Sequence, residues 1–226
     1  MIFDLPQEWW SRPYEYAWAL PFAREGDTAL DAACGVCHPF KFALLEKCRE
    51  VHACDLDERI LDPEAIKRDI ENDFGRAALE NFLQEQIGRL RFRTASITAL
   101  PYPDKMFDKI FCLSVLEHLE IDRRKFPPAW MKAGLEKLGG AFPVFNSWLP
   151  RDDMLSALKE FARVLKDEGR IILTFDYPSI DLEHFSAASR RSGLVFAGET
   201  DFDRPGEAIY SSRFDLYCFR AVLKKA

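Results

Sequence analysis

The sequence predicts an α/β protein: a parallel sheet covered by helices, with an antiparallel strand pair at its C-terminal edge. Two observations carry this. Short β-type runs recur with helical patterns between them, at residues 28–33, 50–54, 90–95, 109–115 and 170–175, each apolar enough to be buried on both faces. Beyond the fifth run the alternation changes: residues 193–199 and 215–223 both read as strands, with Asp201, Asp203, Pro205 and Gly206 between them. That spacing suits a hairpin better than a crossover.

The connecting helices announce their ends. Asp62-Pro63-Glu64 places a capping carboxylate before a proline suited to the first turn, and Ile66, Ile70 and Phe74 then share a face. A second helix is expected over residues 152–166, where Met154, Leu155, Leu158, Phe161, Ala162 and Leu165 have amphipathic spacing and Gly169 supplies the stop. Two segments stand outside the alternation. Residues 1–25 hold Trp9, Trp10, Tyr14, Tyr16 and Trp18 around Arg12, and residues 120–150 insert Pro127-Pro128, Trp130 and Trp148. A single domain covering residues 1–226 is expected, with 1–25 as an aromatic cap and 120–150 as a lid or substrate segment. Packing or a homodimer contact is the alternative use of both.

Composition narrows the class. With 48% hydrophobic and 30% charged residues the chain has the make-up of a soluble protein, and it lacks the long apolar run of a membrane span. Charged residues spread among the first 25 do not form a secretory signal, so a cytoplasmic location and reduced cysteines are expected. A formal charge of −6 gives no general attraction to nucleic acid.

The stretch Ala29-Leu30-Asp31-Ala32-Ala33-Cys34-Gly35-Val36-Cys37-His38 admits incompatible readings. Cys34-x-x-Cys37-His38 matches a c-type haem attachment pattern, but haem attachment demands export and an axial partner, so no haem is expected. A redox pair or a zinc site with Cys48 and Cys54 would suit the residue types, yet the spacing is irregular for zinc and buried small cysteines are the simpler reading. No metal site is expected. As a strand ending in a turn of small residues, the stretch instead lets backbone amides approach a ligand. The next strand ends at Asp55, where a carboxylate can accept hydrogen bonds from both ribose hydroxyls.

Four segments together resemble the class I S-adenosylmethionine-dependent methyltransferases, in particular the small-molecule branch: residues 29–35, Ala53-Cys54-Asp55-Leu56-Asp57, Leu100-Pro101-Tyr102-Pro103-Asp104-Lys105-Met106-Phe107-Asp108, and Ser114-Val115-Leu116-Glu117-His118-Leu119. A fifth, residues 157–174, resembles the helix and strand that precede the family's terminal hairpin. The resemblance implies a Rossmann-like, doubly wound, seven-stranded sheet with one antiparallel strand inserted at the edge. It implies S-adenosyl-L-methionine as cofactor, with Asp31, Ala33 and Gly35 around its methionine and ribose, Asp55 on the ribose hydroxyls and Leu56 on adenine. Ser96 and Ile97 would lie at the adenine amino group, and Leu113 and Ser114 at the methionine end. Ala33 and Cys37 stand where the family has glycines, and Ser96 where it usually has an acid.

The implied activity is methyl transfer to a small-molecule acceptor. His118 follows the fourth strand and is the first candidate for a base, with Asp176 and Tyr177 past the fifth strand as pocket residues, because open α/β sheets bind ligands at their carboxyl edge. Arg12 or Tyr14 would reach the cofactor carboxylate. A protein or RNA acceptor, and a noncatalytic module of the same fold used for binding or regulation, are the alternatives.

Overall fold

The computed structural model describes residues 5, 9–80, 84–119, 152–198, 209–213 and 215–226. The expected inserted segment 120–150, with Trp130 and Trp148, lies outside them, as do Asp201, Asp203, Pro205 and Gly206.

Strand β1 (Thr28–Ala32) is buried along its whole length, as a central strand flanked on both edges must be. It runs parallel between β2 (Glu50–Asp55) and β4 (Phe107–Leu113), with Leu30 level with His52 and Ile110. Outside β2 lies β3 (Arg91–Thr94), and outside β4 lies β5 (Leu165–Tyr177), both parallel to their neighbours. The edge is completed by β6 (Leu194–Phe196), the two-residue β7 (Tyr210–Ser211) and β8 (Leu216–Lys225). The order is β3-β2-β1-β4-β5-β8-β6, with β7 paired to β8. Because β8 is antiparallel to both β5 and β6, it is the inserted antiparallel strand that the resemblance implies.

Period-two alternation divides the core into two layers. Leu30, Ile110, Cys112, Ile171 and Leu173 pack on one face of the sheet, with α6 (Asp153–Val164) and α7 (Leu182–Arg191). Ala29, Val51, Ala53, Phe111 and Ile172 pack on the other, with α2 (Phe40–Leu45) and α3 (Pro63–Phe74). The short α4 (Arg76–Glu80) and α5 (Gln84–Arg89) follow α3. Asp62 caps α3 by accepting the Glu64 amide at 2.9 Å, and Asp152 caps α6 by accepting that of Leu155 at 3.0 Å.

Two details depart from the pattern reading. Gly169 does not stop the second helix: α6 ends at Val164, Leu165 is already extended, and Gly169 sits inside β5. It has a packing reason there, since a Cβ at Gly169 would come 2.6 Å from Leu165 Cδ1. The amphipathic helix α7, capped by Asp181, was not read from the sequence; it makes the β5–α7–β6 crossover. The 193–199 run is β6, which pairs antiparallel with β8 as expected, and the two-residue β7 pairs with β8 as well. No helix among the described residues is long and apolar enough to cross a membrane.

Helix α1 (Arg12–Ala19) reaches the carboxyl end of β4 and the adjoining part of β8: Arg12 Nη1 donates to Leu113 O at 3.4 Å, and Ser114 Oγ and Cys218 Sγ donate to Glu15. On the side toward β8, the Arg220 guanidinium stacks on Tyr14 at 4.5 Å and on Trp18 at 5.3 Å.

Candidate active site

The carboxyl ends of β1, β2, β4 and β5 form one edge, and the loop after β1 is its sharpest turn. Ala33 and Gly35 both have left-handed backbone, at φ +57° and +60°. Glycine takes this conformation freely, whereas an alanine does so at a cost. The turn is tied to β2 on two sides. The Cys34 amide donates to Cys54 O at 2.9 Å, and the Gly35 amide donates to Asp55 Oδ2 at 2.8 Å. Asp55 Oδ1 accepts the Asp57 amide at 3.0 Å. Under the turn, the Lys41 ammonium donates to the carbonyls of Cys34, Gly35 and His38 at 3.2, 2.9 and 2.7 Å. Above Gly35 lies the His38 imidazole, its ring 4.4 Å from that of Trp9.

Asp31 is 4% exposed and its Oδ2 has no hydrogen-bond partner among the described residues. Burial pushes its carboxyl up to about 7, against the pull of Lys41 and with the repulsion of Asp55. The cysteines are shifted the other way from a redox pair. Burial raises the Cys34 thiol well above its usual range, and burial with donation to Asp73 at 3.0 Å takes Cys37 to about 12. An attacking thiol needs the opposite shift. Burial also drives His38 down to about 3, so it is neutral.

A cavity of about 260 Å³ opens beside this loop. Trp9 to Arg12 form one wall with His38, and Ser114, Glu117, His118 and Asp176 form the other. Ser114 is held at φ +48°, its amide donating to Thr174 O at 2.9 Å. Glu117 Oε1 accepts the Asp176 amide at 3.4 Å, while Glu117 Oε2 and Asp176 Oδ1 are buried without partners among the described residues. Burial, reinforced by Asp176, lifts Glu117 to about 8. Asp176 is raised by burial and Glu15, with Arg12 and His118 pulling it down. Glu15 itself is fully buried, paired to Arg12 at 2.6 Å and accepting from Ser114 Oγ and, at 3.4 Å, Cys218 Sγ.

The structure thus brings His118, Asp176 and Ser114 to one cavity, with Leu113 at the strand end beside them. Asp31, Ala33, Gly35 and Asp55 form the adjoining loop. Leu56 follows Asp55 and is 70% exposed. Ser96 turns its hydroxyl to Thr98, and Ile97 is buried in the core. Tyr14 and Tyr177 do not line the cavity: one lies under Arg220, and the other is level with Tyr217 at the end of β5. Glu15, Lys41 and Glu117 were not among the residues singled out from the sequence. The available signals were a lone charge in the apolar run Phe40-Lys41-Phe42-Ala43-Leu44-Leu45, and Glu15 one helical turn after Arg12.

A family model described as a methyltransferase domain matches residues 30–130. That span begins in β1 and includes the loop, Asp55, and the turn carrying Glu117 and His118. Together with the strand order, this match gives the chain the Rossmann-like fold of the class I S-adenosylmethionine-dependent methyltransferases. S-adenosyl-L-methionine is the cofactor of that family. Solved structures agree with this methyltransferase fold. The YcgJ protein from Bacillus subtilis is 15% identical, with 95% of this chain and 99% of that one covered and a TM-score of 0.57. A TehB-like SAM-dependent methyltransferase from Corynebacterium glutamicum is 16% identical, with 97% and 95% covered and a TM-score of 0.54. The [4+2]-cyclase SpnF is 12% identical, with 93% and 80% covered and a TM-score of 0.56. No curated protein matches the chain.

Proposed function

We propose that this chain transfers the methyl group of S-adenosylmethionine to a small-molecule acceptor bound in the cavity between the N-terminal turn and the ends of β4 and β5. The observation that carries this reading is that cavity: about 260 Å³, at the carboxyl edge of the sheet, flush with the β1 loop. Its size approaches that of a small-ligand pocket and gives little room for a polymer segment.

The cofactor supplies a methyl group already activated by a positively charged sulfur leaving group. The residues present suit such a ligand. Asp55 keeps lone pairs on both oxygens for ribose hydroxyls, and the orphaned Asp31 Oδ2 calls for a donor such as an ammonium group. Ala33 and Gly35 keep the β1 turn small, Leu56 offers an exposed apolar face for adenine, and Ser96 and Ile97 stand at the start of the next loop. Leu113 and Ser114 border the methionine end, while Tyr14, on α1, lies under Arg220.

What the protein does in the reaction is align, exclude water and hold a proton. His118 faces the cavity as base for a hydroxyl or ammonium acceptor, with Asp176 as the group that orients the acceptor. Glu117, lifted to about 8 by burial and Asp176, holds a proton at neutral pH and so can donate as well as accept a hydrogen bond.

A second reading, a noncatalytic binding module of the same fold, is favoured by the crowding over Gly35, where a Cβ would meet His38 Cδ2 at 2.9 Å. Calorimetric titration with S-adenosylmethionine and with its demethylated product separates the two. Binding that weakens about tenfold or more in Asp55→Ala is expected if the ribose contacts are made, by the loss of charge-assisted hydrogen bonds. Absence of binding at millimolar ligand removes the methyltransferase reading.

A further inference from the structure

Lys41 is the least ordinary group in the molecule. It is fully buried in α2, flanked by Phe40 and Phe42, and it is the one charged residue of that helix. An ammonium group has three N–H donors, and here there are three acceptors, all of them backbone carbonyls of one loop: Cys34 at 3.2 Å, Gly35 at 2.9 Å and His38 at 2.7 Å. Burying a charge is costly without such compensation, so a lysine that spends every donor on one loop fixes the shape of that loop.

The direction of the effect follows from peptide geometry. In a planar trans peptide the C=O and the next N–H point to opposite sides. The Cys34 carbonyl points at Lys41, so the Gly35 amide points away from it, and that amide is the one that meets Asp55 Oδ2 at 2.8 Å. The Gly35 carbonyl also points at Lys41, which turns the Val36 amide outward. A continuous line therefore runs from the Lys41 ammonium through one peptide dipole to the Asp55 carboxylate. The same charge pulls the Asp31 carboxyl toward its ionised form. Glycines let a loop adopt such a turn at little conformational cost, yet this one has Ala33 in left-handed backbone and Cys37 in place of a glycine. The turn is held by an ion and three dipoles instead.

We propose that Lys41 is the positioning residue of the cofactor loop, orienting the Gly35 peptide and, through it, the Asp55 carboxylate for ribose recognition. This rests on the cofactor reading given above. Lys41 acts through other groups and touches no ligand.

The test is a double-mutant cycle on binding of the demethylated cofactor product, read together with amide NMR of the ligand-free protein. Lys41→Met keeps the length of the side chain and removes its charge and donors. It is expected to weaken binding about tenfold, the order of one charge-assisted hydrogen bond, and to shift the Gly35 amide resonance toward that of a free amide. Asp55→Asn alone should weaken binding similarly, and Lys41→Met added to it should cost less than threefold more, because both changes break the same line. Wild-type affinity in a folded Lys41→Met, or fully additive losses, would overturn the proposal. Should Lys41→Met not fold, Lys41→Gln, which keeps two donors without the charge, is measured in the same way. The wild type offers a readout that needs no variant: the Lys41 ammonium must exchange slowly and show scalar coupling across its hydrogen bonds to the loop carbonyls. A fast-exchanging ammonium sinks the idea. If the wild type binds no cofactor at all, the function reading fails, while the ammonium and Gly35 signals still decide the role of Lys41 in the loop.

Discussion

Removing the Arg12 guanidinium should expose how the N-terminal helix is anchored. Arg12 Nη1 lies 2.6 Å from Glu15 Oε2, with side chains 17% and 0% exposed. In Arg12→Met the Glu15 carboxylate keeps only the Ser114 hydroxyl and the Cys218 thiol, the latter at 3.4 Å. Stranding one partner of a buried ion pair costs about 3–5 kcal/mol, and the partial exposure of Arg12 puts this case near 3 kcal/mol. For a chain of this size that corresponds to roughly 6–12 °C in Tm. The double variant Arg12→Met/Glu15→Met removes both charges and should recover most of the loss, to within about 1 kcal/mol of wild type. Urea unfolding of Arg12→Met, Glu15→Met and the double variant measures this. An Arg12→Met within about 0.5 kcal/mol of wild type, or a double variant as unstable as the sum of the singles, would refute the reasoning.

Two further outcomes follow from the same edge. Glu117 and Asp31 have folded-state values raised to about 8 and about 7. For raised acids the folded state binds the extra proton, so their contribution is full at pH below the ordinary carboxyl range and is lost as pH climbs to those values. Wild-type Tm should therefore fall between pH 5 and pH 8, and Glu117→Gln should fall less over that window while keeping the Asp31 part. Equal slopes would show that Glu117 ionises normally. Ala33→Gly should relieve a left-handed alanine worth about 1–2 kcal/mol and cost about 0.5–1 in backbone entropy. A net gain near 0.5 kcal/mol, or about 1–2 °C, is expected by calorimetry, and a loss of stability would contradict it.

The division between what the sequence reveals here and what it conceals is physical. Asp31 and Asp55 are legible because each ends an apolar strand, so a polar residue at that position stands out against its own run. That the first five strands run parallel follows from alternation alone, whereas their order, β3-β2-β1-β4-β5, does not. Glu15 and Lys41 are concealed by the same logic, because pattern reading expects charges on solvated faces and both are fully buried. Two of the Glu15 partners also lie beyond local spacing: it meets Ser114 across 99 positions and Cys218 across 203. Gly169 misled because a glycine after an amphipathic run reads as a helix stop, whereas its role is to leave room for Leu165 inside a strand.

The two concealed charges divide the edge between them. Lys41 holds the loop after β1 from beneath, while Glu15 and Arg12 hold the ends of β4 and β8 from the roof formed by α1. The loop side carries the features that a common cofactor would require. The roof side contributes Trp9 to Arg12 to the cavity, and with Ser114, Glu117, His118 and Asp176 it sets the space left for an acceptor. The two anchors share no side chain, although roof and loop touch where Trp9 packs 4.4 Å from His38. That separation is what a fold serving many acceptors needs, with one half fixed by the cofactor and the other free to vary. On the proposed function, the identity of the acceptor is therefore written in the N-terminal turn and the residues past β4 and β5, and not in the loop whose cysteines first attract the eye.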